Sequence, residues 1–403
     1  MRIYLDYNAT APPAPGVVDA VCRALQDAPG NPSSIHVPGQ QARAVLDTAR
    51  RAVAALIGAN AGDVILTGGG TEADNLAIRG AAEALEGTAR RHLITTAIEH
   101  EAVLATCASL ERRGWRVSRL PVGPSGVISP VAVDAAFVAS PGEAALVSIM
   151  HANNEVGTLQ PVVEVAEIAH AHGALCHTDA VQTVGKIPVS VSALGVDLLS
   201  LSGHKFGGPK GTGALWVRRG LRLHAQQTGG RQERSRRAGT ENVAGLAGLG
   251  AAADYARATV GEHMTTVARL RDRLERGILS AVPGTEVNGD PEARVPNTTN
   301  ISVDGVEAEL LLMALDLDGI AVSTGSACSS GSLEPSHVLR AMRLPDARTR
   351  SSLRFSLGPE TSDEEIEIVL ARLPALVDKM RRLGRTAAAV GAGGAARRRA
   401  GGH

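Results

Sequence analysis

Lys205 ends a segment that could form a covalent bond to the carbonyl group of a cofactor. Residues 196–201 are an apolar run that predicts a buried strand, and Ser202, Gly203, His204 and Lys205 follow it directly. Desolvation at a strand end lowers the pKa of an ammonium group, and the neutral amine is a nucleophile toward a carbonyl carbon. A lysine at such a place can equally be a solvated loop residue, so the hypothesis depends on partner residues elsewhere in the chain.

Asp179 is the first such partner. It follows residues 174–178, a second predicted strand, and precedes Lys205 by 26 positions. A carboxylate there could hold the ring proton of a pyridine and keep the ring electron-accepting, as pyridoxal phosphate chemistry requires. The alternative is structural, because Asp179 precedes residues 180–182 and could cap the start of a helix. Together with Lys205, the carboxylate favours pyridoxal phosphate as the cofactor.

A glycine-rich segment at 68–75 could bind a phosphate group. It follows the strand-like run 63–67 and leads into residues 76–78, which predicts a strand, a glycine turn and a helix start. Free backbone N–H groups at the start of a helix, near Gly70, and the hydroxyl of Thr71 can donate to an anion. No G-x-G-x-x-G pattern occurs in this segment, and no G-K-[ST] pattern follows Lys205, so a nucleotide-binding loop of either type is disfavoured.

His100 lies at the end of residues 92–98, another predicted strand. An imidazole offers a flat face for a pyridine ring and has a pKa suited to proton transfer near neutral pH. The chain has 12 histidines, so His100 becomes a candidate only in the company of the other residues.

The four cysteines show no C-x-x-C pair and no spacing of metal ligands, so neither disulfides nor a metal site are expected. With no signal-peptide pattern, a reducing cytoplasm is the expected location. Cys22, Cys107 and Cys176 are predicted to be small core residues. Cys328 lies in residues 323–332, a run of small residues with two glycines that predicts a mobile, exposed loop. It is a candidate reactive thiol, or alternatively an incidental surface cysteine.

The order and spacing of these segments resemble the cysteine desulfurases of the pyridoxal-phosphate-dependent class-V aminotransferase superfamily. The resemblance runs almost from end to end. The segments that carry it are 4–10, 30–36, 70–75, 151–157, 177–182, 202–205, 237–242, 323–330 and 353–358. It implies a type I pyridoxal-phosphate-dependent transferase fold and a homodimer.

The resemblance also implies roles for individual residues. Lys205 would hold the cofactor as a Schiff base, Asp179 would pair with the pyridine nitrogen, and Gln182 would hydrogen-bond the phenolic oxygen. His100 would stack on the ring. The residues implied for the phosphate site and its surroundings are Gly70, Thr71, Asn154, Ser202 and His204, with Thr240 reaching the phosphate held by the neighbouring subunit.

Arg354 is implied as the residue that binds the substrate carboxylate, with help from Asn154. A guanidinium group suits this role because it binds a planar carboxylate through two parallel hydrogen bonds. The implied reaction converts L-cysteine to L-alanine. Lys205 would remove the α proton, and His100 would move protons. Cys328, as a thiolate, would attack the substrate sulfur and keep it as a persulfide.

The persulfide sulfur would then pass to an acceptor protein, such as an iron–sulfur scaffold or a tRNA-thiolation enzyme. Ten small residues span at most ~35 Å when extended, so Cys328 could visit both the cofactor and a docked acceptor. Three questions stay open. The chain could be a selenocysteine lyase or an aminotransferase of the same superfamily, it could be a binding protein without turnover, and Cys328 could also be a transient ligand of an iron–sulfur cluster.

Strand-like and helix-like runs alternate across residues 16–255, which predicts an α/β architecture with a mostly parallel sheet of the seven-stranded type. A chain of 403 residues with 44% hydrophobic content can bury a large core. We expect a large cofactor-binding domain at 16–258. A smaller α+β domain is expected from residues 1–15 and 259–385, and a disordered tail rich in Ala, Gly and Arg at 386–403.

The charge balance argues against bulk attraction to nucleic acid or membranes. The chain has 41 basic and 41 acidic residues, and its formal net charge is zero. An arginine-rich stretch at 231–237 could lie at a subunit interface or simply face solvent. No apolar stretch reaches the ~20 residues that span a bilayer. Neither a membrane nor a nucleic acid is therefore an expected partner.

Overall fold

The computed structural model describes residues 2–325 and 335–400, with side chains up to residue 383. Its strands are β1 (Ile3–Tyr4), β2 (Val64–Thr67), β3 (His92–Thr96), β4 (Arg116–Leu120), β5 (Ala144–Ser148), β6 (Leu175–Asp179), β7 (Leu198–Ser202), β8 (Gly213–Val217), β9 (Thr285–Asn288), β10 (Thr298–Val303), β11 (Ile320–Ala321) and β12 (Ser352–Ser356). Its helices are α1 (Val17–Asp27), α2 (Val37–Leu56), α3 (Gly70–Ala84), α4 (Glu101–Glu111), α5 (Pro130–Val138), α6 (Val162–Ala171), α7 (Val191–Leu194), α8 (Gln232–Ser235), α9 (Val243–Ala281), α10 (Ala308–Leu317), α11 (His337–Ala341), α12 (Asp346–Arg350) and α13 (Asp363–Ala400).

A seven-stranded sheet in the order β2-β8-β7-β6-β5-β3-β4 forms the centre of the molecule. Strands β7, β6, β5, β3 and β4 run parallel, whereas β8 is antiparallel to both of its neighbours. Successive side chains of a strand point to opposite faces. In β7, Leu198 accordingly packs into one apolar cluster, and Leu199 and Leu201 pack into another on the opposite face. The predicted α/β fold with a mostly parallel sheet is confirmed.

A smaller layer is built from the antiparallel sheet β12-β10-β9 and the parallel pair β1-β11. Helices α9, α10 and α13 cover it, and its apolar core joins Ile3 and Leu5 to side chains from beyond residue 259. Helix α9 belongs to both cores, because Leu249 packs against the large sheet and Leu274 against the small one. The predicted boundary at residue 258 lies inside this helix, and the division into domains stays a prediction.

Helix α13 extends to Ala400, and the disorder expected for the tail at 386–403 stays a prediction. One expectation differs from the structure. Cys22 is exposed and not in the core, because α1 turns Val17 and Ala24 inward and Cys22 away. The burial predicted for Cys107 and Cys176 is confirmed. Across residues 2–325 and 335–400, no helix combines the length and apolar character needed to cross a membrane.

A buried ion pair holds an unusual turn at α8. Glu233, Arg234 and Ser235 have φ angles of 45°, 58° and 62°, which are unfavourable for residues with a side chain. The carboxylate of Glu233 accepts hydrogen bonds from Arg50 Nη1 and Nη2 at 2.5 and 2.7 Å, and from the backbone N–H of Leu66 at 2.9 Å. Because these contacts anchor the turn to α2 and β2, we infer that they offset its backbone strain.

Removing one partner of this pair should destabilise the fold. Arg50→Met leaves the carboxylate of Glu233 buried and unpaired, and we expect it to lower the free energy of unfolding by about 3 kcal/mol. Urea denaturation followed by circular dichroism measures this change. The control is Arg43→Met, because Arg43 pairs with Asp47 on the surface, and we expect a loss below about 1 kcal/mol. Equal losses for the two variants would contradict the anchoring role.

Candidate active site

The largest concentration of predicted site residues lies at the carboxyl ends of the parallel strands, where open α/β sheets bind ligands. A cavity of about 420 Å³ opens there. It is lined by Asn8, Ala9, Gly70, Thr71, Asp74, His100, Met150, Ala152, Asn154, Asp179, Val181, Gln182, Ser202, His204, Lys205, Ser323, Gly325 and Arg354. The structure thus brings together ten of the residues singled out from the sequence, from six different loops and strand ends.

Lys205 reaches the cavity from the turn Gly203–Lys205, which directly follows β7. Its Nζ donates hydrogen bonds to the backbone oxygens of Asn8 at 2.6 Å and Ala9 at 3.0 Å. Burial, and after it the positive charge of Arg354, lowers the pKa of Lys205 to about 8. A substantial share of this amine is therefore neutral, and nucleophilic, close to physiological pH.

Asp179 is the last residue of β6, and its side chain is only 6% exposed. Its Oδ1 accepts a hydrogen bond from the N–H of Val181 at 2.9 Å, so it caps a turn. No helix begins there, and the helix-cap alternative is thereby set aside. Burial raises the pKa of Asp179, while His100 and Lys205 favour its charged form. A proton donor from a ligand would compensate the cost of burying this carboxylate.

Asp74 is a second buried carboxylate on the cavity wall, and sequence reasoning gave it no role although it lies in the glycine-rich segment. It is 1% exposed, and its Oδ1 has no hydrogen-bond partner. Burial and the negative charge of Asp179 raise the pKa of Asp74 well above its usual value. Ionisation of Asp74 is therefore disfavoured beside Asp179, and both carboxyl groups line the cavity.

The start of α3 forms an anion-binding corner of the cavity. Gly69, with φ of 151°, precedes the helix, and no side chain caps the first N–H groups. A Cβ atom on Gly70 would lie 2.8 Å from Cγ2 of Val181, so a close approach requires glycine there. The hydroxyl groups of Thr71 and Ser202 line the same space. These donors together can hold a phosphate group.

An ion pair from the arginine-rich stretch stabilises this glycine turn. Arg237 Nε donates to Glu72 Oε1 at 2.7 Å, and Glu72 Oε2 accepts from the N–H of Gly68 at 2.7 Å. The arginine-rich stretch therefore contributes at least one residue to the architecture of the site. Thr240, which follows it, is exposed and does not line the cavity of this chain.

Two histidines, His100 and His204, line the cavity, and each forms a hydrogen bond through Nδ1. Nδ1 of His100 accepts the N–H of Ala102 at 3.1 Å as the N-cap of α4, so a neutral ring carries its proton on Nε2. His204 hydrogen-bonds Thr10 Oγ1 through Nδ1 at 3.2 Å. Burial, followed by the charge of Lys205, lowers the pKa of His204 to about 4. His204 is therefore neutral at physiological pH and can contact an anion only through a neutral N–H donor.

Arg354 lies on β12 and brings a guanidinium group into the cavity with 4% exposure. Nη2 donates to Asp6 Oδ1 at 2.7 Å, and Nη1 donates to the backbone oxygen of Asn154 at 2.8 Å. Nε is buried and has no hydrogen-bond partner. The predicted help from Asn154 thus comes, in this structure, from its main chain. An incoming carboxylate can use the unpartnered Nε or compete with Asp6.

Cys328 lies in residues 326–334, outside the described residues. Ser323 and Gly325, just before that segment, line the cavity. Sequence reasoning assigned no role to four residues at or beside the site: Asp6, Asn8, Asp74 and Lys186. Asp6 and Asn8 belong to segment 4–10, whose pattern could have indicated them. In the part of the chain with described positions, no group of three or more His, Cys, Asp or Glu residues could hold a metal ion.

The arrangement can bind a small anionic molecule that carries a carbonyl group. A nucleophilic amine, a buried carboxylate, a cluster of anion donors and a buried guanidinium face one space. Its volume lies in the range of about 300–1,000 Å³ that is usual for small-molecule sites.

Comparisons with known proteins agree with this geometry. The family model described as aminotransferase class-V matches residues 3–369. A cysteine desulfurase of Cereibacter sphaeroides is 50% identical over 384 residues, covering 95% of this chain and 97% of the relative. A cysteine desulfurase of Nostoc sp. (strain PCC 7120) is 48% identical over 381 residues, covering 94% of each chain.

Comparison of folds indicates the same family. The solved structure of a NifS-like protein superimposes with a TM-score of 0.87 at 34% sequence identity, covering 94% of this chain and 100% of that chain. Both the sequence pattern and the architecture are shared over nearly the whole length. The chain therefore belongs to the class-V aminotransferase family, within which it is similar to proteins named cysteine desulfurase.

Proposed function

We propose that the protein is a pyridoxal-phosphate-dependent cysteine desulfurase, which converts L-cysteine to L-alanine and transfers the sulfur to Cys328 as a persulfide. One observation carries the proposal: Lys205, Asp179 and Arg354 line the same cavity. Lys205 has a lowered pKa, and the other two supply a buried carboxylate and a buried guanidinium group. Relatives with the same name at 48–50% identity support the choice of reaction.

The residues present fit pyridoxal phosphate. Asp179 would hold the ring nitrogen, Gln182 the phenolic oxygen, and Lys205 would bind the carbonyl carbon covalently. The phosphate would take the donors at the start of α3, the hydroxyl groups of Thr71 and Ser202, and His204. When bound, the cofactor supplies an electron sink for the bonds at the substrate's α carbon. Asp179 is buried and no cation forms an ion pair with it among the described residues, and a protonated ring nitrogen would compensate the cost of burying its charge.

The chain's own residues divide the remaining tasks. The carboxylate of L-cysteine would bind Arg354, which fixes the orientation of the amino acid. The neutral amine of Lys205 would take the α proton, as its pKa of about 8 allows near physiological pH. Nε2 of His100 would hold or return a proton at the reacting carbon or sulfur. In the sulfur step, the Cys328 thiolate forms the S–S bond while the substrate C–S bond breaks, and the electron pair of that bond stays with the carbon skeleton.

Partners and location follow from the same proposal. We infer a homodimer, because Thr240 is exposed and does not line the cavity of its own chain, as expected of a residue that serves a neighbouring subunit. A sulfur-acceptor protein, for iron–sulfur assembly or tRNA thiolation, would receive the persulfide. A cytoplasmic location, where thiols stay reduced, suits a reactive Cys328 and stays a prediction. Selenocysteine lyase or aminotransferase activity are the competing functions that the following experiment separates.

Purified protein with added pyridoxal phosphate should produce equal amounts of alanine and sulfide from L-cysteine in the presence of a reductant. Cys328→Ser should lose nearly all of this activity, because no thiolate remains to accept the sulfur. Peptide mass spectrometry without reductant should find one added sulfur atom on residue 328. The control is Cys22→Ser, which removes an exposed cysteine of α1 and should change neither product.

Three other outcomes contradict the proposal. A yellow protein whose alanine output is unaffected by Cys328→Ser indicates a lyase. A yellow protein that converts L-cysteine to 3-mercaptopyruvate only when a 2-oxo acid is added to accept the amino group, and that releases no sulfide, indicates an aminotransferase. A protein that takes up no cofactor indicates a binding module without turnover.

The pH dependence of Lys205 reactivity can be measured without cofactor. Only the neutral amine is acylated, so the acylation rate of Lys205 should rise about tenfold per pH unit and level off above its pKa of about 8. Quantitative peptide mass spectrometry with a water-soluble acetylating reagent gives this rate, and exposed Lys379 is the internal reference. Arg354→Gln removes a positive neighbour and should move the inflection to higher pH. An inflection near the ordinary value of about 10.4 would show that burial does not act on Lys205.

Arg354→Gln should weaken substrate binding more than turnover. Loss of the hydrogen bonds to a substrate carboxylate predicts an increase of about 10- to 100-fold in KM for L-cysteine. The visible absorbance of the bound cofactor should remain, since Arg354 is not assigned to it. Asp6→Asn is the matched variant, because it removes the charge that pairs with Arg354 and should leave KM equal or lower. A fall in kcat at constant KM for Arg354→Gln would contradict the carboxylate-binding role.

A further inference from the structure

Lys186 is a partly buried lysine next to the candidate active site that the mechanism above does not use. Its Nζ donates hydrogen bonds to Gln182 Oε1 at 2.5 Å and to Asn8 Oδ1 at 2.7 Å. The charged neighbours that act on it are cations, Lys205 and Arg354, which add to the effect of burial and lower the pKa of Lys186. Burying a lysine beside two positive charges costs free energy, and its hydrogen bonds to two amide oxygens offset part of that cost. The mechanism above gives these contacts no role.

The orientation of the Asn8 amide is fixed independently of Lys186. Its Nδ2 donates to Thr298 Oγ1 at 2.9 Å and to the backbone oxygen of Asn154 at 3.1 Å. Its Oδ1 accepts from Asn297 Nδ2 at 3.0 Å as well as from Lys186. Because a reversed amide would place N–H groups against two donors, Oδ1 of Asn8 must face Lys186.

Lys186 fixes the orientation of Gln182 in turn. With Oε1 of Gln182 engaged by Nζ of Lys186, the Nε2 group is the end that donates on the cavity side. It donates to the backbone oxygen of Asn8 at 3.1 Å, and the same oxygen accepts from Lys205 Nζ at 2.6 Å. The amide N–H groups of Gln182 and the reactive amine thus converge on one point of the cavity wall.

Lys186 contacts Gln182 from outside the larger cavity. It lines a neighbouring, mostly apolar cavity of about 90 Å³ and does not line the cavity that holds the candidate cofactor site. Lys205 lines both cavities, and Gln182 lines only the larger one. Any influence of Lys186 on a molecule bound in the larger cavity must therefore pass through Gln182, through Asn8 or through its charge.

We propose that Lys186 is a positioning residue, which holds the Gln182 side chain with its Nε2 donor directed at the phenolic oxygen of the bound cofactor. The proposal rests on the proposed cofactor and on the role proposed for Gln182. A hydrogen-bond donor at the phenolic oxygen withdraws electron density from that oxygen. The oxygen then stabilises the proton on the neighbouring nitrogen less strongly. Lys186 therefore lowers the pH at which the bound cofactor changes its visible absorbance, without touching the cofactor.

The test is the variant Lys186→Met, which keeps the length and apolar stem of the side chain and removes the donor. Two quantities are measured: the dissociation constant of pyridoxal phosphate, and the midpoint of the pH titration of its visible absorbance. We expect binding to weaken about three- to tenfold, the size of one lost hydrogen bond. We also expect the absorbance midpoint to move to higher pH, whereas a purely structural role would leave that midpoint in place.

A double-mutant cycle separates action through Gln182 from other effects. Gln182→Leu should move the absorbance midpoint in the same direction, and Lys186→Met should add no further shift in that background. The control variant is Lys379→Met, because Lys379 is exposed on α13. If Lys186→Met does not fold, as judged by thermal denaturation, Lys186→Gln replaces it. The glutamine side chain is shorter than lysine and has two N–H donors in place of three, and we expect part of the shift.

The outcomes are distinguishable. Wild-type protein that binds no pyridoxal phosphate overturns the proposed function and this inference with it. Wild-type protein that binds the cofactor, with a Lys186→Met variant of unchanged absorbance midpoint, overturns the inference and leaves the function intact. Full additivity of the shifts from Lys186→Met and Gln182→Leu also overturns it, because Lys186 would then act through Asn8 or through its charge and not through Gln182.

Discussion

The hydrogen bonds of Asn8 are the interaction on which the site depends, because this one residue, 1% exposed, connects both sheets to the reactive amine. Its N–H donates to Ser356 Oγ on β12, and its side chain contacts the start of β10. Its backbone oxygen accepts from Lys205 and Gln182. Since leaving any of these buried groups unpaired costs about 1–3 kcal/mol, the N-terminal segment is held firmly across the seam between the two cores. The cavity is the space that remains beside that seam.

The same seam determines the electrostatics of the site. Three cationic side chains, Lys205, Lys186 and Arg354, approach one another because they come from separate elements that the sheets bring together. Desolvation and mutual repulsion lower the pKa of both lysines. Asp6 and Asp179 oppose the lowering of the Lys205 pKa without cancelling it, and Asp6 also pairs with Arg354. A neutral amine near physiological pH is thus a property of the assembled fold and not of any one loop.

Local sequence pattern predicted the strands correctly where a short apolar run precedes a turn. The apolar runs before Lys205, Asp179, His100 and the glycine turn all became parallel strands of the central sheet or, for residues 63–67, its edge strand. Prediction failed where burial depends on the direction of a helix face, as for Cys22. It also missed Asn8 and Lys186, because an isolated amide or amine says nothing about which distant groups will surround it. The placement of Cys328 lies outside the described residues, and its role stays a prediction from the resemblance.

The sequence by itself determined the α/β class, because that class follows from short apolar runs, turn residues and their order along the chain. Its resemblance to the cysteine desulfurases indicated the family and ten residues that line the candidate site. Only the tertiary structure decided that Asp6 engages Arg354, that Asp74 lies buried beside Asp179, and that Lys186 joins Gln182 to Asn8. The contacts of Asp6 with Arg354 and of Lys186 with Asn8 join residues more than a hundred positions apart along the chain. Such contacts arise when two sheets and a crossing helix pack together, and no local pattern encodes the distances that result.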